Sequence, residues 1–231
     1  VLFGDSHAAQ WFPALYALAV THQWRLLSLT KSACPSVAVP IVVRQQKRPY
    51  VECEQWRRRM LDRIIALRPT LVVLANATGY VVPRLTGETA RVSAAAWRDG
   101  AREVVHELAG AGIAVAVIRD TPWPPFDVPV CLARAAWRNV EPDDACRFDA
   151  GASLAETQAV AAAELAAIED QPGAFAIDMN DLICRDANCA VETAERITFR
   201  DSNHLTVSFS AALSQLLLER LRARVPSLGS Q

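Results

Sequence analysis

Apolar residues along the chain gather in short dense runs, and amphipathic stretches separate them. The first run, 1–3, predicts a strand. Trp11, Leu15, Leu18 and Ala19 recur at helical spacing and predict a helix over 7–23. A second strand is expected over 25–29, followed by a loop through Cys34, Pro35 and Pro40. The charged stretch 52–67 predicts an amphipathic helix closed by Pro69. The run 71–75 is apolar throughout, as in a strand buried on both faces. A helix over 93–111, ended by Gly110 and Gly112, leads to a fourth strand over 113–118. After a proline- and tryptophan-rich loop over 120–129, an alanine-rich helix is expected over 151–169, with Ser153 or a neighbour as its cap. A fifth strand over 174–178 and a closing helix over 207–224 complete the pattern. Strands alternating with helices predict an α/β fold, a mostly parallel sheet covered on both faces in three α/β/α layers. No repeat, low-complexity linker or boundary interrupts it, so a single domain over 1–231 is expected.

Composition narrows this picture without changing it. A chain of 231 residues is long enough to bury a real core, and 52% hydrophobic with 21% charged residues is ordinary for a globular protein. A formal net charge of −1 gives no basic footprint for nucleic acid. No uninterrupted apolar run reaches the roughly 18 residues of a membrane span. The sequence begins inside a strand pattern, so it reads as a piece of a longer polypeptide with an export or anchoring element upstream of Val1. The six cysteines fall in three local couples: Cys34 with Cys53, Cys131 with Cys146, and Cys184 with Cys189. Sequence alone does not choose their connectivity. An even count without zinc-like spacing favours disulfides and an oxidising compartment over a metal site. Buried free thiols remain the alternative. No glycine-rich phosphate loop points to a nucleotide, and no cofactor is expected.

The candidate chemistry lies at the two ends of the chain. Open parallel sheets carry functional groups at the carboxyl ends of their strands. The first such end reads Gly4-Asp5-Ser6-His7. Ser6 would open the following helix, where free N–H groups and the helix dipole favour a developing oxyanion. Asp-Ser is also a common helix cap, so the motif alone leaves capping as an equal alternative. The second half reads Arg200-Asp201-Ser202-Asn203-His204-Leu205-Thr206. A serine nucleophile needs a base, histidine titrates in the useful range, and Asp201 stands at a spacing that can fix the imidazole tautomer. The competing reading makes Asp201 the cap of the last helix and His204 a loop residue. His7 is expected to be structural or at a substrate edge, and His22 and His106 to be helical surface residues. Trp123, Phe126 and Trp137 fall in a stretch expected to be irregular, where core packing is the commoner role and sugar stacking the alternative. Asp178 and Asp181 are expected at a strand end and in a turn, not as a catalytic carboxylate pair.

Taken together, Gly4-Asp5-Ser6-His7 and Asp201-x-x-His204 resemble the SGNH (GDSL-like) hydrolase superfamily. More narrowly, the chain is similar to the SGNH domain fused behind the membrane-embedded acyltransferase-3 domain of bacterial O-acyltransferases. The stretches Thr30-Lys31-Ser32-Ala33-Cys34-Pro35 and Asp120-Thr121-Pro122, and Cys184 and Cys189 ahead of the last motif, carry the narrower likeness. The resemblance implies Ser6 as nucleophile, His204 as base and Asp201 as its orienting acid. It also implies an oxyanion hole from Ser6, Ala33 and Asn76. Where the superfamily's second block has a glycine this loop has Ser32 and Ala33, and Asn76 lies in a third block that reads Leu74-Ala75-Asn76-Ala77, with a turn asparagine at a strand end as the alternative. The function implied is extracytoplasmic transfer of an acyl group, acetyl above all, to a saccharide or glycolipid hydroxyl, beside an upstream membrane-embedded acyltransferase domain. A stand-alone carbohydrate esterase and an inactive carbohydrate-binding module on the same fold are the alternatives.

Overall fold

Five strands form one parallel sheet in the computed structural model of the chain, four of them at the expected apolar runs and the one expected over 25–29 at Ser28–Thr30. The structure describes residues 1–43, 46, 48–82, 92–184, 188–193 and 196–229. In chain order the main elements are β1 (Leu2–Gly4), α1 (Ser6–Ala9), α2 (Phe12–Thr21), β2 (Ser28–Thr30), α3 (Val51–Leu67), β3 (Leu71–Ala75), α4 (Ala94–Gly110), β4 (Ala114–Ile118), α5 (Val128–Arg138), α6 (Pro142–Cys146), α7 (Ala150–Ile168), β5 (Ala174–Ile177), α8 (Asn180–Ile183), α9 (Val207–Ala212) and α10 (Ser214–Arg222). The strand order is β2-β1-β3-β4-β5, every pairing parallel. The order reverses at β1, the topological signature of a doubly wound sheet. This is the expected three-layer α/β/α class.

Packing gathers the chain into two units. The first comprises Val1–Ala9, Leu26–Asp120 and Thr157–Ile177 and holds the whole sheet. Its central strands are apolar because side chains on both faces are covered: β3 is buried at every position, whereas the edge strand β2 reads Ser28-Leu29-Thr30 and buries only Leu29. Phe3, Val72, Leu74, Val115 and Val117 form one core with Leu61 and Ile64 of α3 and Val104 and Leu108 of α4. Those helix residues recur at three and four positions, the period that keeps them on one face. The Cys34–Cys53 disulfide ties the loop after β2 to the first turn of α3. The second unit comprises Gln10–Arg25, Thr121–Glu156 and Asp178–Gln231. In it α2 packs against α9 and α10, burying Trp11, Leu15 and Leu18 with Phe209, Leu217 and Leu221. Phe148 meets Phe199 edge to face at 5.9 Å, and the Cys131–Cys146 and Cys184–Cys189 disulfides lie in this unit. The three local couples are therefore the connectivity.

Several elements depart from the expected pattern, each for a local reason. The helix expected over 7–23 is two helices, because Pro13 in the first turn of α2 has no N–H to continue an earlier one. The closing helix tightens at Leu213, whose N–H is shared between the carbonyls of Phe209 and Ser210. The stretch expected to be irregular around Cys131 and Cys146 is helical. Asp127 caps α5 by accepting from the Val130 N–H at 3.0 Å, and Pro129 sits in the first turn. Trp137 on that helix is 84% exposed, so the expectation of core packing fails for it. Ser153 is not a cap: it lies inside α7, and its Oγ accepts from the Trp123 N–H at 2.8 Å. Asp181 is in α8, not a turn, and pairs with Arg220 through both oxygens at 2.9 and 2.7 Å.

Glu164 is a buried carboxyl in the sheet unit, 8% exposed, accepting from the Trp97 indole N–H at 3.2 Å. Burial, with smaller contributions from the charges of Asp120 and Asp5, pushes its pKa up to about 8. The folded state therefore keeps a proton that the unfolded chain releases above about 4.5. Stability falls as pH rises between those values and levels off above the folded pKa. Glu164→Gln keeps an acceptor for Trp97 and removes the titration. Melting temperatures measured from pH 5 to 9 are expected to drop in the wild type relative to the variant, the gap widening up to about pH 8. Parallel curves would show that Glu164 is ionised throughout.

Candidate active site

Gly4 ends β1 between its neighbours, paired with Thr30 on one side and Ala75 on the other. The three loops that carry Ser6, Ala33 and Asn76 therefore leave the same carboxyl edge of the sheet. Asp5 is fully buried and structural: Oδ1 accepts from the His7 N–H at 2.8 Å and Oδ2 from the Ala77 N–H at 3.0 Å. Burial raises its pKa, more than the nearby His7 and those two N–H groups lower it. Ser6 is half-buried and opens α1. That helix is a single turn of 4 residues, so the long-helix dipole expected behind Ser6 is absent and only local N–H groups remain. His7 is 1% exposed, and its Nδ1 lies 2.5 Å from Asp120 Oδ1. It is a structural residue, one of the two roles expected for it.

Ala33 is exposed and has φ +55°, the left-handed region. A glycine at this place in the superfamily has a conformational reason, and alanine adopts the same backbone at a cost. The turn is closed by the Cys34 N–H on the Lys31 carbonyl at 3.1 Å and held by the Cys34 disulfide. Ala33→Gly is expected to raise stability by roughly 0.5–1 kcal/mol, the relief of left-handed strain less the added freedom of the unfolded chain. Denaturation midpoints compare the two; a lower midpoint for glycine would show that the turn is unstrained.

Asn76 follows β3 directly and is 4% exposed. Its Oδ1 accepts from both the N–H and the Oγ–H of Ser36, at 2.7 and 3.0 Å. The oxygen is thus engaged and the amide NH₂ is turned the other way as a donor. A solvated turn asparagine would not be held like this.

In the second unit Asp201 and His204 meet. His204 Nδ1 lies 2.8 Å from Asp201 Oδ2, while Asp201 Oδ1 accepts from the N–H groups of Asn203 and His204 at 2.9 and 2.7 Å. Burial works to raise the Asp201 carboxyl, but these N–H groups and the His204 ring outweigh it and hold the pKa below its ordinary value. An ionised Asp201 accepts only, so Nδ1 carries the ring proton and Nε2 is the basic nitrogen. The helix cap here is Thr206, whose Oγ accepts from the Phe209 N–H at 3.2 Å. Asp201 is therefore not the cap of the last helix. Around the pair, Phe199 bridges Leu205, the Arg200 N–H donates to the His204 carbonyl at 2.9 Å, and the Leu205 N–H donates to Gln10 Oε1 at 2.9 Å.

Sequence reasoning passed over Gln10, Ser36, Thr78 and Asp120, the residues that hold these groups from behind. Asp120-Thr121-Pro122 was legible as a strand end, but nothing in its spacing tied it to His7. His106 is exposed on α4. His22 does not belong to α2's interior but follows it, half-buried and stacked on Trp24 at 5.2 Å. Asp178 follows β5 and accepts from the Asn180 N–H at 2.9 Å, a turn contact.

Comparison with known proteins places this geometry. No relative was found among curated proteins. Among solved structures, the chain is similar to the periplasmic domain of a lipopolysaccharide acetyltransferase from Salmonella ser. Paratyphi A. The TM-score is 0.70 at 15% identity, covering 94% of this chain and 81% of that one. That likeness speaks for the fold. A family model described as the SGNH domain fused to AT3 domains matches residues 1–219. With both motifs inside the matched span, the chain belongs to the SGNH domain family found fused to AT3 domains and is an enzyme of SGNH type.

Proposed function

We propose that this chain is the extracytoplasmic catalytic domain of an O-acyltransferase, with Ser6 as nucleophile, His204 as base and Asp201 as its orienting acid. The observation that carries the reading is the Asp201–His204 pair: a carboxylate fixed by two backbone N–H groups and bonded to a ring nitrogen at 2.8 Å leaves Nε2 basic. His204 takes the Ser6 hydroxyl proton as Oγ attacks an acyl carbonyl. The negative oxygen that forms is met by the backbone N–H groups of Ser6 and Ala33 and the side-chain NH₂ of Asn76. Collapse expels the leaving group, which takes the proton from His204, and leaves an ester on Ser6. An acceptor hydroxyl then gives its proton to His204, attacks the ester carbonyl, and departs acylated as Ser6 regains the proton. The fusion to AT3 domains that describes the family supports an upstream membrane-embedded donor of the acyl group. The acetyltransferase neighbour supports acetyl as that group and a lipopolysaccharide-like saccharide or glycolipid as acceptor. Three disulfides fit an oxidising compartment, and among the described residues no helix is long and apolar enough to cross a membrane.

The test is turnover of p-nitrophenyl acetate by wild type and Ser6→Ala, with a chitooligosaccharide acceptor in a parallel run analysed by mass spectrometry. Ser6-dependent release with acetylated sugar supports transfer. Release with free acetate alone favours an esterase, and no Ser6-dependent release points to a binding module.

A further inference from the structure

The loop that carries Ser6 and the loop that carries Asn76 are joined by two buried carboxylates. Asp5 takes the His7 N–H on one oxygen and the Ala77 N–H on the other, at 2.8 and 3.0 Å. Asp120, 5% exposed just beyond the end of β4, does the same with different atoms. Its Oδ1 is 2.5 Å from the His7 ring Nδ1, and its Oδ2 accepts from the Thr78 N–H and Oγ–H at 2.8 and 2.9 Å. His7 adjoins Ser6 and Thr78 lies two residues beyond Asn76, so each oxygen of Asp120 reaches one of the two loops. From this we infer that Asp120 is a positioning residue that sets the Ser6 turn and the Asn76 loop against each other from the end of β4. The inference rests on the proposed roles of Ser6 and Asn76.

The physical argument is the geometry of a carboxylate. A buried Asp120 whose two oxygens both accept keeps both loops; burial works to raise its pKa, but His7 and Thr78 outweigh that and keep it ionised. An amide of the same shape accepts at one end only and presents an NH₂ to the other. Asp120→Asn must therefore release the two Thr78 donors, release His7, or force the His7 ring into the tautomer in which Nδ1 accepts. Displacement of a catalytic group by about 1 Å costs on the order of a hundredfold in rate. Substrate binding, which Asp120 does not touch in this reading, stays as it was.

The experiment measures kcat and KM for p-nitrophenyl acetate in wild type, Ser6→Ala, Asp120→Asn, Thr78→Val and the Asp120→Asn/Thr78→Val pair. Each is assayed at a temperature where circular dichroism shows it folded. Asp120→Asn is expected to lose roughly 30- to 100-fold in kcat with KM within about twofold. Thr78→Val keeps the backbone N–H and folds with one bond fewer; it is expected to lose about three- to tenfold. The double variant should be no worse than Asp120→Asn alone, because the Thr78 hydroxyl acts through Asp120. A merely structural Asp120 would lower the melting temperature and leave kcat of the folded protein alone. Wild-type kcat in folded Asp120→Asn and in Thr78→Val, while Ser6→Ala is inactive, overturns the inference and leaves the proposed function standing. Additive losses in the double variant also overturn it. Undiminished activity in Ser6→Ala overturns the proposed function itself, and with it the positioning role of Asp120.

Discussion

Ser6→Ala is expected to lower p-nitrophenyl acetate turnover on the order of 10⁴-fold or more, to the level of the uncatalysed reaction plus whatever the remaining donors supply. The size follows from what one atom does. In the proposed mechanism, without Oγ no acyl-enzyme would form, His204 would have no proton to take, and the donors proposed at Ala33 and Asn76 would have no adduct to stabilise. Members of such a unit fail together, so His204→Ala should lose nearly as much. Asp201→Asn should lose less, since an amide in place of the carboxylate disturbs tautomer and charge without removing the base. Stability should barely move in Ser6→Ala: the residue is half-buried, and a hydroxyl at that exposure is worth within about 1 kcal/mol. Steady-state rates together with thermal melting check both halves. Retained turnover in a folded Ser6→Ala would falsify the nucleophile assignment outright.

The fold was legible because burial on both faces of a parallel sheet leaves a dense apolar run in the sequence: the runs at 1–3, 71–75, 113–118 and 174–178 became strands, while the strand expected over 25–29 forms at Ser28–Thr30. Helix interruptions were harder. Pro13 was in plain view, but Trp11, Leu15 and Leu18 kept the helical period across it and hid the break. Around residue 130 the prolines read as loop. Asp127 followed by Pro129 is also the start signal of a helix, and the structure shows that this second meaning holds.

The candidate site divides in the same way. Asp201 and His204 are three residues apart and form a local turn, so their pairing could be argued from spacing. Ala33 could be flagged because the resemblance supplied the glycine it replaces; the backbone at φ +55° gives the reason. What holds these residues could not be read. His7 and Asp120 are 113 positions apart, Ser36 and Asn76 are 40, and Gln10 and Leu205 are 195. The first two are set by strand order and crossover and the third by the packing of α2 on α9, which bring chain segments together with no periodicity to announce it. Groups with local partners are visible in one sequence, and the buried acceptors that fix them are not.

Gly4→Ala is expected to be the most damaging single change to the fold, with a loss of more than about 4 kcal/mol. Gly4 is the last residue of β1, with φ +153°, and is paired with Thr30 and Ala75. A Cβ built there falls 2.1 Å from the Ala75 carbonyl oxygen and 2.9 Å from the Ala8 Cβ. Neither obstacle is the free end of a side chain. Relief would require β1 to move off β3, which breaks the ladder at the strand end and opens the packing of Phe3 and Leu74. It would also carry Asp5 away from the Ala77 N–H that it accepts at 3.0 Å, leaving a buried carboxyl without that partner. The glycine therefore sets the approach of two strands first and the turn to Ser6 second. Denaturant unfolding followed by circular dichroism is expected to show a large fall in midpoint, or a protein already unfolded in buffer. The contrast with Ser6→Ala separates the two halves of the motif: folded and inactive at Ser6, unfolded at Gly4. A folded Gly4→Ala within about 1 kcal/mol of wild type would mean that β1 and β3 can part at this point without cost, and the argument that close strand approach demands glycine here would be wrong.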